Sequence, residues 1–529
     1  VGEDGYIKKE YANLLLQSNQ FDTTWSGSIS VASGYAGYDG TNDAWLLSKG
    51  AGQYLSLVSG SLSNSGVQTY SIYCKAATLN LVTLFISYSS GNKYVEFDLT
   101  DGSVNAQTSS GIIDSGSTSL GNGWYRLYMT INESVTGVRV LPDWNNSVAG
   151  GVYIQDAQLN PGLVAYPYLE TTTAPVYGGL TDDMPRLDYS GGATCPSLLL
   201  EPSRSNLWYH SEYYSGLSNS NGPIFQYNDG ISPEGLQNAV RVSATNIGAS
   251  RVQPSITVDG SKLVWSLYAK HEGEDYTMRF NNYLGGTGTY GAEVTVTSTA
   301  VTFDGYASGY DDADYEIIGD GWFRFWLVIT PTAGGQLFQW RVLQTGSVAT
   351  SYLAYGMQVE YGSYPTSYIP TYRSSQTRAA EGRNYSGFSS LIGQTEGTLF
   401  LDIDSANVNT EIFSLNRSTQ NSIFLITSST NYRVFIYSDG ANLSYVTSIN
   451  ITDRIRVAIA YQSNNLAVYV NGSQAYTNNT QTWTPNVAMD LLNFNNGGYA
   501  SSKGAARYNQ VLLFKERLSN ADLATLTTL

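Results

Sequence analysis

The sequence predicts an all-β fold built on two repeated antiparallel jelly-roll sandwiches, and three observations carry that expectation. The composition is rich in glycine and aromatics and poor in charge, with 53 Gly, 42 Tyr, 16 Phe and 10 Trp against 13% charged residues. Four short blocks recur in the same order in two parts of the chain. Runs of alternating apolar and polar residues end at Gly- and Asn-containing turns. Aromatic and β-branched side chains fit a pleated, half-buried surface, so the first observation favours strands.

At 529 residues the chain exceeds one ordinary core and has room for three or four domains. Its 42% hydrophobic content separates it from disordered chains. The formal charge of -16 opposes nucleic-acid binding, which needs clustered Lys and Arg, and opposes anionic membrane surfaces for the same reason. No apolar run approaches the roughly eighteen residues of a membrane span. The opening Val1-Gly2-Glu3-Asp4 shows neither the basic nor the apolar region of a signal peptide. Cys74 and Cys195 form no disulfide framework and read as free thiols. With only His210 and His271 available, a zinc site built on several histidines is out of reach, and neither residue sits in a nucleophile motif.

The repeat comes first among the elements. Asn13-Leu14-Leu15-Leu16-Gln17-Ser18 matches Asn206-Leu207-Trp208-Tyr209-His210-Ser211. Tyr70-Ser71-Ile72-Tyr73-Cys74-Lys75 matches Trp265-Ser266-Leu267-Tyr268-Ala269-Lys270. Gly121-Asn122-Gly123-Trp124-Tyr125-Arg126 matches Gly319-Asp320-Gly321-Trp322-Phe323-Arg324, and Gln158-Leu159 with Tyr168 matches Gln358-Val359 with Tyr368. The separation widens slowly along the chain, as small loop insertions would make it. After Trp124, residues Tyr125, Leu127, Met129 and Ile131 share one strand face; Phe323, Phe325, Leu327 and Ile329 repeat this after Trp322. Such strands, punctuated by Gly-x-Gly turns, indicate a jelly-roll sandwich. The first module is expected over 1–174 and the second over 198–372, with linkers at 175–197 and 373–394.

Residues 395–529 follow another pattern. Ile455, Val457, Ile459 and Tyr461 alternate, as do Leu466, Val468 and Val470 before an Asn471-Gly472 turn, a strong hairpin signal. Val511-Leu512-Leu513-Phe514 reads as a buried strand, and Ser519 as the cap of a short helix through Ala521, Leu523 and Leu526.

Pro185-Arg186-Leu187-Asp188-Tyr189, Cys195-Pro196 and Leu200-Glu201-Pro202-Ser203-Arg204-Ser205-Asn206-Leu207 resemble a recurrent stretch of bacteriophage virion proteins. So does Pro365-Thr366-Ser367-Tyr368-Ile369-Pro370-Thr371 followed by Thr377-Arg378-Ala379-Ala380. In that family carbohydrate-binding-like jelly rolls precede a concanavalin A-like, laminin-G-like domain. Glu396 to Phe400, Leu466 to Gly472 and Arg507 to Leu526 resemble the opening, central hairpin and close of that domain. The resemblance implies a fibre-type structural or adhesion protein on the phage particle, in contact with other virion proteins and with host-surface glycans. It also implies a homotrimer, by analogy with fibres. A capsid decoration or scaffold protein without ligand and a polysaccharide depolymerase are the rivals. Fold alone does not choose among them.

Gly286-Thr287-Gly288-Thr289-Tyr290-Gly291 matches a dinucleotide-binding pattern formally, but a strand pattern follows where a phosphate-binding helix is required, so it reads as a hairpin. Asp311, Asp312, Asp314 and Glu316 form the densest acidic cluster and could hold Ca²⁺, the one cofactor considered; a solvated acidic loop is the competing reading. Trp124 and Trp322 recur, which points to packing in the core. Aromatics that do not recur, Tyr306, Tyr310 and Tyr315, are the better platforms for a sugar face. Asn493, Asn495 and Tyr499 lie in a Gly-rich stretch where a lectin-like site could form. No catalytic residue is singled out, and the chain is expected not to be an enzyme.

Overall fold

In the computed structural model the alternating residues after each Gly-x-Gly turn become the central strands Trp124–Pro142 and Trp322–Ile329. Leu127, Met129 and Ile131 lie inside one hydrophobic core with Tyr125 packed against it, and Phe323, Phe325, Leu327 and Ile329 lie inside a second. The structure describes residues 1–51, 57–59, 61–145, 147–180, 186–190, 194–216, 218–220, 223–244, 250–284, 287–343, 351–406, 411–415, 421–438, 441–483, 488–494 and 506–529.

Both modules belong to one unit, Lys8–Asp182 with Ser205–Gln376. In the first module one layer runs Ser30–Tyr35, Ala44–Lys49, Gly150–Pro161, Asn64–Ala76, Trp124–Pro142, Asp114–Gly121, every pair antiparallel. In the second it runs Ile224–Gly230, Ala239–Ser243, Ser351–Tyr361, Leu263–Lys270, Trp322–Ile329, Asp312–Gly319, the same order. The opposing layer of the second module is a separate sheet around Gly334–Val342 and Tyr276–Leu284. In the first module the long strand Trp124–Pro142 passes from one layer to the other, leaving Asn64–Ala76 for Leu81–Tyr88 across a bulge between Val135 and Gly137. Trp124 and Trp322 are buried, but on the sheet face turned away from these cores. Trp124 sits with Ala44 and Tyr73 in a small satellite cluster, and Trp322 donates its indole N–H to the Ile231 carbonyl at 3.2 Å. Alternation along a strand forces this, because Tyr125 and Phe323 already face inward.

The repeated blocks converge on one polar network per module. Asn13, fully buried, donates to the carbonyls of Ala157 and Leu169 at 3.0 and 2.8 Å and accepts from the Leu15 and Leu159 N–H groups at 3.2 Å. Asn206 makes the same four bonds to Met357, Ile369, Trp208 and Val359. Ser18 Oγ bonds Tyr168 and Thr171, as Ser211 Oγ bonds Tyr368 and Thr371. Arg126 donates to Ser71 Oγ and the Tyr166 carbonyl, and Arg324 to Ser266 Oγ and the Thr366 carbonyl. The strand between them is bulged: register slips between Gln155 and Gln158 and between Tyr355 and Gln358, with Asp156 at φ 53° and Gly356 at φ 63°.

The modules meet closely. Gly66 has φ 99°, and a Cβ there would stand 1.6 Å from the Tyr372 carbonyl oxygen. Asn228 donates to Asp114 Oδ2 at 2.6 Å and to the Leu163 carbonyl at 3.0 Å across the same joint.

The other unit comprises Val1–Ile7, Asp183–Arg204 and Thr377–Leu529. Seven strands in the order Leu187–Asp188, Ser197–Leu200, Ala506–Phe514, Glu396–Ala406, Ile455–Gln462, Leu466–Val470, Ser473–Asn478 form one sheet. Six in the order Arg383–Tyr385, Leu492–Phe494, Glu411–Leu415, Asn421–Thr427, Asn431–Ser438, Ala441–Asn450 form the other. Their inner faces share a core that includes Leu399, Phe413, Val434, Ile459 and Val468. Asn471 and Gly472, at φ 46° and 82°, make the hairpin turn, and Ser519 Oγ caps helix Asn520–Thr527 by accepting from Asp522 N–H at 3.2 Å. The segments expected as linkers are instead partly strands. Val176–Gly179 pairs with Glu10–Asn13, while Leu187–Asp188 and Arg383–Tyr385 supply edges of this sandwich and Ser197–Leu200 the strand beside the first of them. They are two to four residues long, too short for periodicity to mark them.

Two outcomes follow. Asn206→Ala orphans four buried backbone groups and should cost about 3 kcal/mol or more, read from urea unfolding. Gly66→Ala should destabilise by about 2 to 4 kcal/mol, since the clash is with backbone and the φ is left-handed, and should split the calorimetric transition of the joined modules into two.

Candidate functional site

The residues expected to bind ligand fall in different settings. Tyr306 is half-buried with the Arg279 guanidinium over its ring at 4.1 Å, and Arg279 pairs with Glu293, so a protein cation already occupies that aromatic face. Tyr310 and Tyr315 pack against the core of the second module, Tyr310 donating its hydroxyl to the Phe303 carbonyl at 3.2 Å. Asn493 is not in a loop. It is a fully buried residue of strand Leu492–Phe494, donating to Ser414 Oγ at 2.9 Å. Asn495 and Tyr499 lie outside the described residues.

The acidic cluster likewise is a strand rather than a loop. Asp312, Asp314 and Glu316 occupy alternate positions of Asp312–Gly319, about 6 to 7 Å apart along one face, too spread to converge on an ion. Asp311 accepts from Thr330 Oγ1 and Glu316 pairs with Arg324 at 3.8 Å. Among the described residues no group of three His, Cys, Asp or Glu side chains is placed to hold a metal. Gly291 of the glycine pattern lies within strand Thr287–Val296, while Gly286 lies outside the described residues.

A groove where the two modules meet has the features sought. It encloses about 380 Å³ and is lined by Gly111, Ile112, Ile113, Asn132 and Glu133 of the first module and Tyr213 and Tyr227 of the second. Strand Trp124–Pro142 presents Asn132 and Glu133 beside Val135, where it starts its change of layer. The rings of Tyr213 and Tyr227 lie 4.9 Å apart at 30°, and Tyr227 is held by its hydroxyl on Ser215 Oγ at 2.6 Å. Burial raises the Tyr213 hydroxyl above its ordinary pKa despite a side-chain hydrogen bond with Asn132, and the Glu133 charge adds to the rise. Asn132 Oδ1 has no protein donor. The groove can therefore offer a stacking face and a carboxylate to a neutral polyol. Tyr213 stands two residues after the repeated block, at the position that in the first copy is Gln20; a non-recurring aromatic there was the available signal.

A second divergence surrounds the bulge of the first module. Asp156, where the second copy has Gly356, accepts from Tyr38 OH at 2.8 Å beneath the stacked pair Tyr38 and Tyr73, and also bonds Tyr168. Burial, with the Asp43 and Asp39 carboxylates nearby, pushes its carboxyl up to about 7 against those two hydrogen bonds. His210 is shifted the other way, down to about 4, by burial and by Arg373.

No family model matches the sequence, and no curated protein does. Solved structures are similar to this chain only distantly. A pentraxin of Limulus polyphemus shares 20% identity over 26% of this chain and 70% of its own, at a TM-score of 0.21. The LG1-3 region of the laminin α2 chain shares 10% identity over 87% of this chain and 95% of its own, at 0.21. Domains LG4-5 of the mouse laminin α1 chain share 8% over 56% and 90%, at 0.18. At such scores the architecture rests on the sheets themselves.

The Asp156 shift has a definite sign. A carboxyl whose folded-state value is raised contributes stability that is complete below about pH 4 and lost as the pH rises through about 7, up to about 4 kcal/mol. His210, lowered, works oppositely: its contribution is present above about pH 6.5 and lost as the pH falls towards 4. Asp156→Asn removes the first dependence alone. Its stability gain over the natural chain should grow between pH 5 and pH 8 in denaturant titrations, and a difference independent of pH would refute the assignment.

Proposed function

We propose that the chain is a non-enzymatic adhesion protein of the phage fibre type, which holds a host-surface glycan in the groove between its two jelly-roll modules. The observation that carries this reading is the juxtaposition of the Tyr213 and Tyr227 rings with the Glu133 carboxylate in one groove. Sugar C–H faces bury apolar area on tyrosine at small entropic cost, and a sugar hydroxyl can donate to the Glu133 carboxylate. A volume of about 380 Å³ lies at the low end of small-molecule sites and suits a mono- or disaccharide. Shallow sites exchange hydroxyl hydration for protein partners at little net gain, so each should bind at about 0.1 to 1 mM. Useful attachment then comes from several copies on one particle, a homotrimer in the simplest case, where effective concentration multiplies weak contacts.

The test is incubation of the chain with host polysaccharide, measuring retention and new reducing ends. Retention without new ends is expected. New ends would favour the depolymerase, and neither would leave a scaffold or decoration protein. Tyr213→Ala, at a half-buried position packed against the core of the second module, should weaken retention at least about five-fold, about one kcal/mol, in a variant whose native fold is confirmed by circular dichroism. Tyr306→Ala should leave retention unchanged.

A further inference from the structure

Lys9 lies at the start of the first module, yet its side chain ends against residues of the second. Its side chain is 1% exposed, with Nζ 2.7 Å from Glu212 Oε1 and 3.0 Å from Glu234 Oε2, themselves 1% and 8% exposed. The rings of Tyr166, Tyr355, Tyr368 and Tyr372 surround Nζ, with centroids 5.2 to 6.0 Å away. The two oxygens of Glu212 are used unequally. Oε1 accepts from Lys9, from Tyr368 OH at 2.8 Å and from Tyr355 OH at 3.3 Å, whereas Oε2 is buried with no partner at all. A buried carboxylate oxygen without a donor is costly, and a plain ion pair gives no reason for it.

We propose that Lys9 and Glu212 condense within this cage to an isopeptide bond, with Glu234 as the proton carrier. Glu234 takes a proton from the Lys9 ammonium and passes it to Glu212, and the freed amine attacks Cδ of the now neutral Glu212 carboxyl. Negative charge developing on Oε1 meets the Tyr368 hydroxyl already aimed there, with the Tyr355 hydroxyl, which lies 2.8 Å from Glu234 Oε2, within reach at 3.3 Å, and the unpartnered Oε2 is the oxygen that leaves. The nitrogen gives up two protons in all, one of them relayed by Glu234, and these depart with Oε2 as water. The ammonium and carboxylate charges cancel, Glu234 returns to its starting state, and no oxidant or cofactor is required. The neighbouring carboxylates favour the ammonium, so the free amine is scarce and the bond forms slowly after folding. The product joins two residues 203 positions apart, fastening the leading segment to the second module.

The full folded chain, held at neutral pH and then measured by intact mass spectrometry, should become lighter than its sequence by one water. Proteolysis should release a branched peptide joining the segments that carry Lys9 and Glu212. Lys9→Arg and Glu234→Gln, checked for native circular dichroism, should keep the full mass. A natural chain that stays at full mass after prolonged incubation is a buried ion pair and overturns the proposal. So does loss of water without the branched peptide, as an Asp-Gly succinimide would give.

Discussion

In each module a buried asparagine, Asn13 or Asn206, ties together the strand or segment that leads into the sandwich, the bulged strand and the segment that leads out. The bulge takes the Ala157 and Met357 carbonyls out of the ladder, and the side-chain amide takes them up. Those backbone groups have no water to fall back on, so the amide, the left-handed residue before it and the Ser-Tyr-Thr bonds around it stand or fall together. The cores, Leu127 to Ile131 and Phe323 to Ile329, tolerate exchange of one apolar residue for another. The polar network does not, and that is why its members recur between copies whose cores differ in nearly every residue.

This explains what was legible. The blocks Asn-Leu, Tyr/Trp-Ser, Gly-x-Gly-Trp and Gln recur because each supplies a fixed hydrogen bond or turn, so the repeat and the fold class could be read from the sequence. The same residues did not disclose that Trp124 and Trp322 face away from the core, since recurrence marks a shared environment without saying which face. The strands at Leu187 and Ser197 could not be read, because two to four residues hold no period and Cys195-Pro196 interrupts them. Asn493 read as a loop residue on composition, although Ser414 holds it in a strand.

The groove was hidden for a different reason. Asn132 and Glu133 belong to one module and Tyr213 and Tyr227 to the next, and the packing of the two modules, Gly66 on Tyr372 and Asn228 on Asp114 among its contacts, brings them to one place. The two copies keep their network and diverge around it: Asp156 for Gly356, Gln20 for Tyr213. Divergence against a fixed frame is a more useful pointer here than aromatic or acidic density, which selected Tyr306, Tyr310 and the Asp311 cluster.

The third sandwich is assembled from distant parts of the chain, and this dictates an order of events during synthesis. Ser197–Leu200 is made before the strands of the second module, yet its partner Ala506–Phe514 is the last strand to be made. A ribosome adding about 5 to 20 residues per second leaves this early strand waiting for tens of seconds, long enough for the second module to fold around its own local pairings first. During that interval the waiting edge is open to the wrong partner, and two nascent chains side by side could exchange it. Brevity and an adjoining proline are the protections the chain carries against that exchange.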